Sequence, residues 1–190
     1  MISALAVRIT EALCACSAIE ESDRELYQYG FFVLLSRVLF FLLTTLFGLL
    51  FRVPWESIMF YIMFSLLRGY AGGIHARTEL LCTLLTCFTI ILSIAGIFVM
   101  KALHVMIVPV GMLIIGMVCI LILSPLDTQE KPLSEGDRKR YRNISWILSS
   151  LCSVLSIISI FTHHHAFFYS AAFAVFLEGT LLVLGRIIQS

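Results

Sequence analysis

Six long apolar runs, at residues 31–51, 53–67, 80–100, 102–123, 144–162 and 166–185, occupy most of this chain of 190 residues, and they restrict its fold more than any other feature. About 20 apolar residues coiled as a helix cross the roughly 30 Å of hydrocarbon in a bilayer, and such a helix satisfies its own backbone polar groups there. Five of the runs reach that span. The 15 residues of 53–67 extend only about 22 Å, so this segment tilts, recruits residues 69–74, or re-enters without crossing. Hydrophobic residues make up 60% of the chain and charged residues 13%, with a mean hydropathy of +1.01. A soluble domain carries about 25% charged residues, so this chain has too few to cover a water-facing exterior. The net charge of +1 argues against a nucleic-acid binder. The long apolar runs argue against a small disulfide-stapled secreted domain.

The predicted fold class is therefore an all-α membrane protein, with about six transmembrane helices and an N-terminal amphipathic helix. It forms a single domain over 1–190, divided into an interfacial segment at 1–28 and a transmembrane bundle at 29–190. In the first segment Ile2, Leu5, Ala6, Ile9, Ala12, Leu13, Cys16 and Ile19 recur at helical spacing opposite Ser3, Thr10 and Ser17. Such a helix suits a membrane surface, or a groove for a partner's amphipathic segment. Arg8 and Glu11 interrupt its apolar residues and an acidic stretch follows, which is not the pattern of a cleavable signal peptide.

Counting lysines and arginines orients the bundle. Six crossings with the N-terminus inside put ten on the cytoplasmic side and leave only Arg52 and Lys101 outside. If 53–67 does not cross, the better orientation scores nine to three. Both arrangements place 69–79 and the basic loop 124–143 in the cytoplasm, and six crossings are preferred.

Polar and glycine residues concentrate in the segment from Arg68 to Cys82, between two apolar runs. A cysteine hydrolase needs a thiolate nucleophile and an imidazole to take the thiol proton and return it to the leaving amine. His75 and Cys82 supply those types, seven residues apart. On one unbroken helix that spacing is about 10 Å along the axis, too far for contact. Thr78 suits an N-cap with Glu79 in the first turn, which would leave His75 in a turn able to fold back and set Cys82 near a helix N-terminus that favours a thiolate. Gly72 and Gly73 allow close backbone approach, and their amides could serve an oxyanion. The plain alternative is a loop histidine and a cysteine at lipid depth, with Arg68 and Arg77 as interfacial anchors; spacing alone leaves both open. The six cysteines include no C-x-x-C pair, and no motif suggests a metal or an organic cofactor.

The stretch from Arg68 to Cys82, with its Gly-Gly-x-His-Ala, resembles the accessory gene regulator B (AgrB) family of bacterial membrane peptidases. Ser124-Pro-Leu-Asp-Thr-Gln-Glu-Lys-Pro132 is similar to that family's second motif, Pro-x-Asp-Thr-x-x-Lys-Pro. The resemblance implies a multi-pass protein of the bacterial plasma membrane with its active site on the cytoplasmic side. It implies a cysteine endopeptidase that cleaves a short precursor peptide, AgrD, and cyclises it through a cysteine thioester into a thiolactone or lactone quorum-sensing signal. Position by position, it assigns His75 and Cys82 to the catalytic pair, and Arg68 and Gly73 to positions the family also uses for activity.

Other residues have two readings each. Glu79 either orients the His75 imidazole or is an ordinary first-turn acid. Arg37 and Glu178 lie equally deep, about 10 Å from the cytoplasmic end, and are read as a structural ion pair. Arg138, Lys139, Arg140 and Arg142 anchor anionic headgroups or dock the acidic tail that the resemblance implies for the precursor. His163, His164 and His165 point different ways and are interfacial polar residues rather than a metal site. Gly111 and Gly116 are five apart, not the four of the usual dimer motif, so a homodimer stays open. The rival function is a small transporter or scaffold with Arg37, Arg68 and Glu178 lining a polar path.

Overall fold

The computed structural model describes residues 2–72, 79–126, 134–162 and 165–189, without the side chains of Glu79 and Gln189. Seven α-helices run in order: α1 (Ile2–Ala15), α2 (Arg24–Leu50), α3 (Pro54–Ala71), α4 (Glu79–Ala102), α5 (Ile107–Leu123), α6 (Glu135–Phe161) and α7 (His165–Gln189). No strand occurs among the described residues, only an isolated bridge between Gly72 and Leu126. The protein is an all-α membrane protein. Four of its helical stretches, Glu21–Leu50, Leu80–Ala102, Glu135–Phe161 and His165–Ile188, are long and apolar enough to cross a bilayer. All six apolar runs became helices, though with different ends. The fourth starts five residues late, at Ile107, because the chain turns over Leu103–Met106 with His104 at φ 52°.

The chain divides into two compact units, Met1–Leu43 and Thr44–Ser190. In the first, Thr10 was expected on the polar face of α1 but is fully buried. Its hydroxyl donates to the Ala6 carbonyl one turn back, at 2.9 Å, which satisfies it without water. Arg24 holds Glu21 at 2.8 Å and Glu11 at 3.2 Å, tying α1 to the start of α2. Arg37 lies on α2 within this unit.

The second unit is organised around α7, which packs against α3, α4, α5 and α6. Small residues make that possible. A Cβ on Gly116 of α5 would fall 2.5 Å from the Val175 carbonyl oxygen, and one on Gly179 would fall 2.9 Å from the Gly116 backbone. Gly116 therefore serves close packing inside one chain, as Gly96 does where α4 crosses the Phe173 ring. A serine stripe at Ser145, Ser149, Ser153, Ser156 and Ser159 is the buried face of α6. Most of these hydroxyls return to carbonyls of their own helix, such as Ser145 to Tyr141 at 2.8 Å and Ser153 to Ser149 at 2.8 Å.

Helix α3 has 18 residues, about 27 Å, because it continues past Leu67 through Arg68 to Ala71. Pro54 starts it at a position where a missing N–H costs nothing. This shortest of the expected crossings buries Phe60, Tyr61, Met63, Phe64, Leu67 and Ala71. Much of its surface meets protein rather than lipid, so it does not need a lipid-like composition throughout.

Two apolar clusters lie along the bundle. One joins Phe60, Met63 and Phe64 of α3 with Ile97, Phe168 and Tyr169. The other joins Leu67, Ala71, Ile120, Leu126, Val175 and Leu182. Near the first cluster Glu56, only 3% exposed, pairs with Lys101.

Candidate functional site

The second cluster marks the end of the bundle where the notable segments gather. Helix α3 stops at Ala71 because Gly72 turns to φ 84°, ψ −155°, a conformation that only glycine adopts readily. Here Gly72 forms a parallel bridge with Leu126, and the Leu126 N–H donates to the Ala71 carbonyl at 2.9 Å. The Leu126 carbonyl oxygen occupies the space that a Cβ on residue 72 would need. The Arg68 guanidinium donates to the Gly72 carbonyl at 3.1 Å, closing an end that the helix leaves open. The Tyr70 and Tyr141 rings, 5.7 Å apart, bring the start of α6 against the same end.

Cys82 is the fourth residue of α4 and a free, half-buried thiol. Its carbonyl accepts from Thr86 Oγ1 at 2.8 Å. Farther along α4, Gly96 and Ile97 meet Phe173 and Phe168 near the start of α7. Running back from Gly96, α4 brings Cys82 about 20 Å toward the other end, where Leu182 of α7 packs with Ala71 and Leu126. Cys82 therefore lies at the same end of the bundle as the Gly72–Leu126 bridge. Glu79 is the first residue of α4. Gly73, His75, Arg77 and Thr78 fall outside the described residues, as do His163 and His164.

Glu178 is completely buried on α7, and neither of its carboxylate oxygens has a hydrogen-bond partner among the described residues. It lies on the face that carries Val175 and Leu182 into the second cluster. The charge acting on it is the Arg68 guanidinium. Arg37, the partner expected for Glu178 from equal depth, belongs to the other compact unit.

The basic cluster divides by helix face. Ser134 caps α6, its hydroxyl accepting from the Asp137 N–H at 3.2 Å, and Arg138 and Arg142 follow one turn apart. Both line a cleft beside 124–126 together with Arg186 from the last turn of α7. Lys139 and Arg140 are exposed and do not line it. Sequence reasoning did not join Arg186 to this cluster, because nothing local in the chain links the two.

The model of the family described as accessory gene regulator B matches residues 6–182. The chain belongs to this family. Two curated relatives, both from Clostridium perfringens, are named for their likeness to AgrB. The one from strain SM101 is 26% identical over 174 residues, covering 87% of this chain and 80% of the relative. The one from strain 13 is 25% identical over 175 residues, with the same coverage. No solved structure matches the chain significantly. AgrB membership places the chain in accessory gene regulator quorum sensing at a membrane, in a family that acts on an AgrD-like precursor peptide. Both segments that carried the AgrB resemblance meet at the Gly72–Leu126 bridge.

Proposed function

We propose that this protein is a multi-pass membrane cysteine endopeptidase that cleaves an AgrD-like precursor and cyclises it through a thioester on Cys82. The observation that carries the reading is the backbone junction of Gly72 and Leu126, at the same end of the bundle as the first turn of α4. It brings together the two segments whose residues resemble the family's motifs.

In this mechanism His75 takes the Cys82 thiol proton, and the thiolate attacks the carbonyl at the C-terminal side of the future ring. The tetrahedral intermediate collapses by breaking the C–N bond, His75 protonates the departing amine, and a peptidyl thioester remains on Cys82. A thiol or hydroxyl of the same peptide then attacks the thioester, passes its proton to His75, and releases Cys82 as the ring closes. Water would hydrolyse the thioester irreversibly, so cyclisation prevails where water is scarce and the peptide is held bent. Leu80, Leu81, Leu84 and Leu85 around Cys82 are exposed and apolar, which suits such a boundary. The amides of Gly72 and Gly73 serve the oxyanion, and Arg68 holds the end of α3 on which they are carried. Arg77, Arg138, Lys139, Arg140 and Arg142 meet the acidic part of the precursor. Glu79 orients the imidazole in a triad, or acts only as a first-turn acid. The site faces the cytoplasm.

Mass spectrometry of the protein in lipid vesicles with a precursor peptide tests this. Wild type forms a covalent peptidyl adduct and releases the precursor tail, whereas Cys82→Ala and His75→Ala do neither. The transporter reading is favoured by one observation, the fully buried and unpartnered Glu178 carboxyl among the described residues of the bundle. It moves ahead if folded wild-type protein leaves the precursor intact.

A further inference from the structure

Beside the end of α5, the segment Ser124–Leu126 borders an open cleft of about 220 Å³ whose charged walls come from two other helices. Arg138 and Arg142 project from the first turns of α6, and Arg186 from the last turn of α7. Among the described residues, the cleft's lining includes these three arginines and no acidic residue. Planar guanidinium forks match the geometry of phosphate oxygens and hold them bidentately. Ser124, 5% exposed, borders the same cleft, and its buried hydroxyl has no hydrogen-bond partner among the described residues. A donor left unsatisfied beside three cations suits an anionic acceptor.

The surroundings indicate which phosphate. Both α6 and α7 are long and apolar enough to cross a bilayer, so the cleft lies at a membrane boundary. The Arg142 guanidinium sits 5.5 Å over the Trp146 ring, and tryptophan is the residue of that boundary. Ile122 lines the cleft and is 74% exposed, and Ile187, next to Arg186, is 65% exposed. A free phosphate ion would make no use of that apolar wall, whereas an amphiphile with its phosphate among the arginines would lay its chains along it.

We propose that this cleft is a binding site for an anionic phospholipid, with Arg138, Arg142 and Arg186 around the headgroup phosphate and Ser124 donating to it. The site ties the start of α6 and the end of α7 to one lipid, beside the segment that bridges to Gly72. It needs no peptide, so it can be tested without any assay of processing.

Native mass spectrometry of the purified full chain, in mixed micelles containing phosphatidylglycerol and phosphatidylcholine, reads the site directly. Wild type retains phosphatidylglycerol in preference to phosphatidylcholine. Arg142→Gln and Arg186→Gln each lower that retention about fivefold, the scale of one basic residue at an anionic surface. The double variant Lys139→Gln/Arg140→Gln removes two charges outside the cleft and lowers retention less than either cleft variant. Circular dichroism of each variant, together with partial recovery of retention in Arg186→Lys, which keeps the charge and loses the fork, separates loss of the site from loss of the fold. Equal losses in the cleft and control variants overturn the proposal, as does equal retention of both lipids. Inorganic phosphate that raises the melting temperature in neutral micelles, while phosphatidylglycerol is not retained, also overturns it in favour of a soluble anion.

Discussion

The N–H of Leu126 donates to the carbonyl of Ala71 at 2.9 Å, across 55 positions of chain from the end of α3 to the segment that follows α5. This bond and the adjoining Gly72–Leu126 bridge turn two separate loops into one piece of backbone at one end of the bundle.

Replacing Gly72 should break that junction. Alanine there must adopt φ 84° and also place a Cβ where the Leu126 carbonyl oxygen lies. The backbone strain alone costs about 1–3 kcal/mol, so Gly72→Ala is expected to lower the melting temperature in micelles and to reduce precursor processing. Gly111 has nothing within 4 Å of its Cβ position. Gly111→Ala is therefore the control, neutral or stabilising by up to about 1 kcal/mol; equal destabilisation by both would show that the bridge contributes nothing specific.

Arg68 and Glu178 should behave as a coupled pair. Arg68→Ala removes a charge that acts on the fully buried Glu178 carboxyl and takes a donor from the Gly72 carbonyl. No hydrogen bond joins the Glu178 carboxyl to a partner among the described residues, so any coupling acts through charge and stays below the about 3–5 kcal/mol of a broken buried ion pair. A double-mutant cycle of Arg68→Met and Glu178→Leu, followed by thermal unfolding, is expected to give less destabilisation in the double variant than in Arg68→Met alone. Strict additivity would sink the pairing.

Gly116 tolerates no side chain. A Cβ there falls 2.5 Å from the Val175 carbonyl oxygen and 2.7 Å from the Phe176 backbone. Gly116→Val is expected to force α5 and α7 apart and to destabilise by at least the about 1–3 kcal/mol typical of overpacking. Thermal unfolding measures this, and a melting temperature within error of wild type would contradict the close packing.

At the opposite end, Lys101→Met leaves the Glu56 carboxylate buried and without its cation. An uncompensated buried acceptor costs about 1–3 kcal/mol, and more when charged. The double variant Glu56→Gln/Lys101→Met should recover part of the loss in the same unfolding assay. Its failure to recover any would assign the loss to the packing of the lysine stem.

Much of this protein was legible in the chain itself. The six apolar runs determined an all-α membrane protein, because inside hydrocarbon a continuous apolar segment satisfies its backbone only as a helix. The residues from Arg68 to Cys82, and the similar order of residues after Ser124, carried the resemblance to the family that the match over 6–182 shows. What the tertiary structure decided were relationships between distant residues, which no local period encodes. It set the short 53–67 run into α3 at the heart of the bundle, where protein contacts replace the need for lipid-like composition. It assigned Gly116 to an internal crossing with α7. It buried Glu178 completely, and brought Arg186 beside Arg138 and Arg142. Helix formation follows from composition read a few residues at a time, whereas the partner of a charge depends on which helices pack together and at what height, and only the folded bundle sets both.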